Sequence, residues 1–432
     1  MYENIFLYCF KTNIQLIGIF VFLVQKINSK SLKNYIIFTF YSLIKSNRIN
    51  IGGGYMRVLI APDKFKGSLS AMEVCKNIEI GIKKVFNDID IENVPMADGG
   101  EGTVESLVDA TGGNIIKTIV RDPIYRQILS FYGILGDGKT AVIEMAAASG
   151  LYLLKEYERN PLFTTTYGTG QLILDALDKG CRKFIIGIGG SATNDAGAGM
   201  AMALGVKFFD SLGNEVGFGG GELGKVCYID TTKIDKRIYE SEFIVACDVK
   251  NPLIGENGAS RVYGPQKGAS EEVVEILEKN LSHFGMLLEN TFNKEIINYP
   301  GAGAAGGLGA GLLAFLNAKL KSGVDIVMDV LNLEEKVKGA DIVVSGEGKV
   351  DAQTAYGKTI YGVAKLCKKY NKPLIVIAGA VEDVDALYDM GVTSVFSILD
   401  KPMALDYAVK EAAVLIQNIS ERVFRCIKAF KA

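Results

Sequence analysis

The sequence predicts an α/β fold with two α/β domains. Short apolar runs alternate with helical patterns near both ends of the chain, which is typical of a parallel sheet covered by helices. Between residues 115 and 146, closely spaced strand patterns and the turn Gly136-Asp-Gly138 indicate antiparallel pairing, either in a second domain or at a sheet edge. At 432 residues the chain is also longer than one ordinary domain.

Residues 1–55 differ in composition from the remainder. This segment is basic, whereas the rest of the chain is net acidic. Its longest uncharged run, Thr12 to Gln25, is shorter than the roughly 20 residues that a membrane-spanning helix needs. We expect Met56 to be the true start, because Gly52-Gly-Gly54 just before it could be a purine-rich ribosome-binding sequence read as protein. The alternative is a signal-like or interfacial segment, and hence a membrane-attached protein.

Composition argues against several classes of function. The net charge of −2 gives no reason to expect a nucleic-acid partner. The seven cysteines form no C-x-x-C pair, which favours a reducing compartment, by default the cytoplasm, over disulfides or a zinc site. The only histidine, His283, lies within a long helical pattern, which disfavours Ser-His-Asp hydrolysis and histidine-based zinc chemistry. No membrane partner is expected for residues 56–432.

The first two strand patterns of the α/β region end in polar turns. Val58–Ala61 is followed by Asp63, Lys64, Lys66 and Ser68, and Ile91–Ala97 by Asp98, Gly99, Gly100 and Glu101. Open α/β sheets bind ligands at the carboxyl ends of their strands, so these turns are expected at the rim of an active site. Each turn also has a simpler explanation, since lysines mostly face water and an acid in a tight turn often caps a helix.

The stretch Gly187–Gly199 is the centre of the expected site. It follows the apolar strand pattern Phe184–Ile188 and leads into a helix at Met200–Leu204. Glycines in such a turn let backbone N–H groups converge on an anion. The stretch also carries Gly189, Gly190, Ser191, Thr193, Asn194 and Asp195, so it could hold a substrate and accept a proton from it.

Two further glycine motifs look like nucleotide fingerprints but lack the required context. Gly301-x-Gly303-x-x-Gly306 has no strand before it, so tight helix packing and ligand contact stay equally open. Ala352 replaces the first glycine of a P-loop that would end at Gly357-Lys358-Thr359, although Lys358 at a helix start could still contact phosphate.

Together these stretches resemble the bacterial-type glycerate kinase family, which is unrelated to P-loop kinases. The matching pieces occur in order between residues 56 and 425: Ala61–Ser68, Ala97–Thr103, Gly168–Gly170, Gly189–Asp195, Cys247-Asp248 with Asn251-Pro252, Gly264–Gly268, Gly303–Gly309, and Ser345–Gly348 with Asp351. No single motif is specific, but eight in order are.

The resemblance implies ATP-dependent phosphorylation of D-glycerate with Mg²⁺. It also implies that one domain is inserted into the other. Residues 56–115 and 300–432 would then form a mostly parallel, Rossmann-like domain, and residues 116–299 an inserted α/β domain with mixed strands. Residues 1–55 have no counterpart in the family.

Phosphoryl transfer needs positioning, cations around the transferred group and a base near the acceptor hydroxyl. We expect Asp195 as the base, with Lys64 and Lys66 neutralising phosphate or the substrate carboxylate. Substrate or phosphate contacts are expected from Ser68, Asp98, Gly99, Gly100, Glu101, Gly189, Gly190, Ser191, Thr193, Asn194, Lys267, Gly303, Gly306, Gly307 and Lys358. Mg²⁺ takes one or two carboxylates, and for it we select Asp248, Glu347 and Asp351.

Other functions stay open at this point. The chain could phosphorylate another small hydroxy or sugar acid, or it could be a nucleotide-binding, dehydrogenase-like protein. The sequence does not identify the phosphorylated hydroxyl group or the glycine loop that faces ATP. The oligomeric state is also open, with a homodimer as one option.

Overall fold

The computed structural model describes residues 56–351, 354 and 359–431, and within them thirteen strands form three sheets. The strands are β1 Met56–Ile60, β2 Ile89–Asn93, β3 Asn114–Arg121, β4 Gln127–Ile134, β5 Thr140–Glu144, β6 Lys183–Gly187, β7 Lys207–Phe209, β8 Tyr228–Asp230, β9 Glu242–Ala246, β10 Lys319–Lys321, β11 Ile342–Val350, β12 Leu374–Val381 and β13 Ser394–Ser397.

The same described residues contain fourteen α-helices. They are α1 Ala71–Lys83, α2 Thr103–Thr111, α3 Ala146–Ser149, α4 Tyr167–Asp178, α5 Ala198–Ala203, α6 Ala259–Tyr263, α7 Glu271–Phe292, α8 Ala304–Phe315, α9 Gly323–Val330, α10 Leu333–Gly339, α11 Thr359–Tyr370, α12 Asp385–Asp389, α13 Leu405–Lys410 and α14 Ala412–Lys431. Among them, no helix is both long enough and apolar enough to cross a lipid bilayer.

One sheet is mostly parallel and one is mixed. The five-stranded sheet has the order β13-β12-β11-β1-β2, and β1, β11, β12 and β13 pair in parallel. The six-stranded sheet has the order β10-β9-β6-β5-β4-β3, in which β10 to β5 pair in parallel and β5, β4 and β3 pair antiparallel. The predicted α/β class, with a mixed sheet built from the middle of the chain, is confirmed.

The two sheets share one layer of helices. Residues on α2, α9, α10 and α11 pack in one core with Leu59 and Val343 of the first sheet and with Val142 and Ile185 of the second. The opposite face of the second sheet forms a separate core with the helices on that side. Because each face of the second sheet is covered, the carboxyl ends of its strands are left as the place where a ligand can approach.

Local sequence features explain how helix α1 begins and how closely it packs against α14. Helix α1 begins with a capping box, in which the Ser70 hydroxyl accepts a hydrogen bond from the Glu73 amide and the Glu73 carboxylate accepts one from the Ser70 amide. Gly81 lets α14 cross closely, because a Cβ there would lie 2.4 Å from the Gln417 carbonyl oxygen. The start of α1 and its packing against α14 are therefore both determined by local sequence features.

The sequence pattern predicts a strand at Asp341–Val344, a helix over Leu312–Ala318 and one closing helix over Ala404–Ala429, and the structure differs at all three. The strand expected at Asp341–Val344 extends to Val350, because its glycine-rich half pairs in register with β12. The helix expected from Leu312 begins at Ala304, with a kink of left-handed residues at 305–307. The closing helix expected over Ala404–Ala429 is divided into α13 and α14.

Sheet membership suggests a different second boundary for the inserted region. Strand β10 pairs with β9 of the six-stranded sheet, although it lies beyond the expected boundary at residue 300. We propose that the chain returns to the first sheet near residue 322. Residues 1–55, on which the start-site and membrane hypotheses rest, lie outside the described residues.

Candidate active site

A cavity of about 540 Å³ lies at the carboxyl end of the five-stranded sheet. We call it the larger cavity. Its polar side chains are those of Asp63, Lys64, Lys66, Ser68, Asp98, Glu347 and Lys349. Its apolar wall includes Phe65, Ile398, Leu399, Met403, Leu405 and Val409. The polar groups follow β1 and β2 or end β11, whereas the apolar wall comes mostly from the segment between β13 and α14, so the cavity has a charged side and an apolar side.

A second cavity, of about 410 Å³, lies at the carboxyl end of the six-stranded sheet. We call it the smaller cavity. Its lining includes Asp98, Gly99, Gly100, Gly189, Gly190, Ser191, Asp248, Tyr263, Gln266 and Lys267. Besides apolar residues such as Leu151 and Val249, this lining offers glycine backbone, two carboxylates and an amine, which can bind the polar groups of a small ligand.

Asp98 lines both cavities. Its carboxylate accepts a hydrogen bond of 3.0 Å from the amide of Gly100, which is an Asx turn within its own loop. The loop sits tightly against the second sheet, since Gly99 has φ +88 and a Cβ there would lie 2.9 Å from the Ala246 side chain. Asp98 is therefore held where the two cavities meet.

The negative charge of Asp98 contributes to raising the pKa of one carboxyl group in each cavity. Burial raises the pKa of Asp63 to about 6, against a 2.6 Å hydrogen bond that the Thr359 hydroxyl donates, and the charge of Asp98 adds to the increase. Partial removal from water raises the pKa of Asp248, again with a contribution from Asp98. The Asp248 carboxylate accepts a 3.0 Å hydrogen bond from the amide of Gly323.

The predicted groups of the first turn lie in the larger cavity. The Lys64 ammonium donates to the backbone carbonyl of Glu101, which joins the turns after β1 and β2. Lys66 is exposed and faces the cavity. The Ser68 hydroxyl donates to the Val409 carbonyl at 2.7 Å, so it also connects the first turn to α13.

The central loop divides into two halves with different environments. Gly189 and Gly190 are exposed, and with Ser191 they line the smaller cavity. Thr193, Asn194 and Asp195 are each 0 % exposed. The prediction that this whole stretch contacts substrate is therefore supported by geometry only for its first half.

Asp195 does not lie where a base would meet a substrate. One carboxylate oxygen accepts hydrogen bonds from the Thr166 amide and hydroxyl, at 2.8 and 2.9 Å, and from the Gly199 amide. The other oxygen accepts from the Gly197 amide. Burial raises the pKa of Asp195, and these hydrogen bonds oppose that increase. Because its acceptor sites are used within the protein, Asp195 is better suited to holding the loop than to the role of base that the sequence predicts.

Lys267 is 1 % exposed and lies beneath the same loop. Its ammonium donates a 2.7 Å hydrogen bond to the Thr193 carbonyl. Burial lowers the pKa of Lys267 to about 7, and the attraction of Asp195 opposes that decrease. The Thr193 hydroxyl and the Asn194 amide oxygen are buried beside it without hydrogen-bond partners. The structure thus confines a titratable amine at the edge of the smaller cavity.

The glycines of the second fingerprint pack against protein. A Cβ on Gly306 would lie 1.9 Å from the Thr193 carbonyl oxygen, and one on Gly303 would lie 2.0 Å from the Pro252 carbonyl oxygen. Gly307 has φ +85 and faces Ala196. Since none of the three lines either cavity, tight packing is the interpretation that the geometry supports.

The three acids selected for Mg²⁺ are not brought together. Asp248 lines the smaller cavity, and Glu347 lines the larger one and accepts a 2.5 Å hydrogen bond from the Thr354 hydroxyl. Asp351 lines neither cavity and lies 3.7 Å from the Lys349 ammonium. Within the described residues no group of three or more His, Cys, Asp or Glu side chains could hold a metal ion. Lys358 lies outside the described residues.

Sequence reasoning missed two kinds of site residue. Met403 and Leu405 of the apolar wall resemble ordinary surface residues, and no local pattern distinguishes them. Glu144 was detectable, since it ends the apolar strand β5 just as Asp98 follows β2. The rule that polar groups at strand ends are functional candidates applies to it equally.

Comparisons with known proteins confirm the resemblance to the glycerate kinase family. The model of the glycerate kinase family matches residues 58–428. A glycerate kinase of Haemophilus influenzae is 51% identical over 377 residues, which is 87% of this chain and 100% of that protein. The glycerate 2-kinase of Escherichia coli K12 is 51% identical over 83% of this chain and 94% of that protein. A crystal structure from Salmonella typhimurium LT2, assigned as glycerate kinase 2, has a TM-score of 0.82 at 45% identity and covers 88% of this chain and 100% of that one.

Proposed function

The chain belongs to the glycerate kinase family of enzymes, and from that premise we propose that it transfers the terminal phosphoryl group of ATP to D-glycerate. The observation that carries the proposal is the pair of cavities that meet at Asp98. Direct phosphoryl transfer needs the donor and the acceptor side by side, with charged groups around the transferred group. Two cavities with one shared carboxylate suit that requirement.

The nucleotide would bind in the larger cavity. Its apolar wall, which includes Ile398, Leu399 and Met403, suits a purine ring, and its opposite side carries Lys64 and Lys66. These two lysines supply positive charge for phosphate groups. The triphosphate would then extend towards Asp98.

D-glycerate would bind in the smaller cavity. The exposed amides of Gly189 and Gly190 and the Ser191 hydroxyl can donate to its carboxylate or hydroxyl oxygens. When protonated, Lys267 adds positive charge at the edge of the same cavity. In this proposal the glycine loop that faces the acid is the loop after β6.

The acceptor hydroxyl needs a base, and two carboxylates line the smaller cavity. Asp248 is the better candidate for the base, because its pKa is raised above the ordinary value for aspartate, which favours proton uptake. Asp98 lies between the two cavities and would face the transferred group. We therefore assign proton acceptance to Asp248.

The donor set at the meeting point fits Mg²⁺. Mg²⁺ takes one or two carboxylates together with substrate phosphates and water, and Asp98 with Asp63 offers such a pair without a larger cluster and leaves Asp248 for proton acceptance. When bound, the ion would neutralise charge on the phosphate oxygens. Asp98 would hold it, in place of the expected set of Asp248, Glu347 and Asp351.

We further propose the 2-hydroxyl as the acceptor, on the strength of the Escherichia coli relative's name. We keep the cytoplasm as the compartment, because the six cysteines within the described residues are all free thiols. A dehydrogenase role has little support, since no strand directly precedes Gly301-x-Gly303-x-x-Gly306 in the described chain.

A coupled ADP assay of the purified full chain tests the proposal. The acceptors would be D-glycerate, L-glycerate, D-lactate and D-gluconate, each with ATP and Mg²⁺. We expect ADP release that depends on D-glycerate, and phosphorus NMR should show the new phosphate on the 2-oxygen. A higher kcat/KM with another acid, or no ADP release with any of them, would contradict the proposal.

A further inference from the structure

Helix α2, which follows the Asp98 loop, is capped from the other sheet. Its N-cap residue, Gly102, provides no side-chain hydrogen bond. The amide of Val104 in the first turn instead donates a 3.0 Å hydrogen bond to the carboxylate of Glu144. Glu144 is the last residue of β5 in the six-stranded sheet. A free amide of the first turn is thus satisfied across the layer between the two sheets.

The same loop is held from the opposite direction by Lys64. The Lys64 ammonium donates to the Glu101 carbonyl and lies against Gly102, where a Cβ would be 3.3 Å from the ammonium nitrogen. Lys64 follows β1 of the five-stranded sheet. The segment Gly100–Val104 therefore has one charged contact from each sheet.

The loop has little room to move between these contacts. Glu144 pairs in register with Gly187 of β6, and a Cβ on Gly187 would lie 2.8 Å from the Gly99 carbonyl oxygen. A Cβ on Gly323 would lie 2.1 Å from the Asp98 carbonyl oxygen. Without the Glu144 contact this packing would still hold the Asp98 backbone, but the start of α2 could shift and carry with it the Gly100 amide that orients the Asp98 carboxylate.

We propose that Glu144 is a positioning residue for phosphoryl transfer: by binding the start of α2, it fixes Asp98 at the point where both cavities meet. Glu144 lines neither cavity, so it acts through the loop and not on a substrate. The inference rests on the proposed function for its catalytic consequence. Its structural part, the hold on α2, stands on the contacts alone.

Both the protonated and the ionised form of the Glu144 carboxyl group are populated near neutral pH. Burial raises the pKa of Glu144 to about 7, opposed first by the Val104 hydrogen bond, and the charge of Glu105 raises it further while that of Lys64 lowers it. Tyr152 is a further titratable group beside Glu144. A neutral side chain with an acceptor oxygen could therefore replace it, whereas one without an acceptor could not.

Two substitutions with side chains of similar length distinguish loss of the hydrogen-bond acceptor from a change in side-chain volume. Glu144→Gln keeps an oxygen for the Val104 amide, and Glu144→Met does not. With D-glycerate and ATP we expect kcat within about threefold of wild type for Gln and about 10- to 100-fold lower for Met, with both KM values changed much less. Asp109→Ala, which removes an exposed acid of the same helix that does not act on Glu144, should keep the wild-type kcat.

Hydrogen exchange of the peptide spanning 98–108 provides a readout that needs no turnover. We expect faster exchange of this peptide in Glu144→Met than in wild type and Glu144→Gln, with exchange of peptides far from α2 unchanged. Equal exchange and equal kcat in the Met and Gln variants would overturn the inference, whether or not either variant is less stable. If the wild-type enzyme does not phosphorylate D-glycerate, the proposed function is wrong. The hydrogen-exchange result then still tests whether Glu144 holds the start of α2.

Discussion

Asp98 and Asp195 follow strands of the two sheets and lie among glycines, yet they have opposite surroundings. Asp98 lines both cavities and makes one hydrogen bond, to the Gly100 amide. Asp195 is 0 % exposed and accepts four hydrogen bonds from Thr166, Gly197 and Gly199. A carboxylate whose lone pairs are used inside the protein stabilises a loop, whereas one that keeps acceptor sites towards a cavity is available to a ligand.

The largest expected effect is that of Asp98→Asn on turnover. Loss of the charge at the meeting point should lower kcat by about 10³-fold, the scale of removing one electrostatic or base contribution. The amide oxygen can still accept from Gly100, so Tm should stay unchanged. Steady-state assays with D-glycerate and ATP, paired with thermal melts, measure both. A kcat within tenfold of wild type would contradict this role and indicate that Asp98, like Asp195, only stabilises its loop.

Asp195→Asn should show the reverse pattern. Its amide group would face the Thr166 amide and hydroxyl and the Gly199 amide, leaving buried donors without an acceptor. We expect the free energy of unfolding to fall by about 3 kcal/mol, with kcat of the folded enzyme within a few-fold of wild type. Denaturant titration measures the first quantity, with the exposed Asp109→Asn as control. Normal stability with lost turnover would restore Asp195 as the base.

The pH dependence of glycerate binding tests the amine beneath the central loop. The pKa of Lys267, about 7, lies below the ordinary 10.5, so the charged form is present below about pH 7 and is lost as pH rises through that value. We expect the KM for D-glycerate to increase by up to about fivefold between pH 7 and 8. Lys267→Met should show a raised KM without this dependence. A wild-type KM for D-glycerate that does not change with pH would show that the charge of Lys267 does not contribute to substrate binding.

The smallest effect is expected at the apolar wall of the larger cavity. Met403→Ala removes part of the surface proposed to contact the purine, and we expect the KM for ATP to rise about threefold with no change in the KM for D-glycerate. Met286→Ala, at an exposed position of α7, is the matched control. An effect on D-glycerate instead of ATP would reverse the assignment of the two cavities.

The sequence was informative where a local signal fixed the position of a residue. Asp98 and Gly189-Gly190 follow strand patterns directly, and the structure places them at the cavities as the strand-end rule predicts. The burial of Asp195 depends on Thr166, 29 residues earlier in the chain, and no local pattern encodes that contact. The same holds for Gly306, whose left-handed conformation packs it against Thr193, and for Met403, which meets the first turn only through the tertiary fold.

A crystal structure with D-glycerate and a non-hydrolysable ATP analogue bound together tests the central claim most directly. The account predicts the glycerate in the cavity beside Ser191 and Lys267, the nucleotide in the cavity beside Lys66 and Met403, and the Asp98 carboxylate between the terminal phosphate and the acceptor hydroxyl. Either ligand bound away from the Asp98 loop, or both in one cavity, would contradict it.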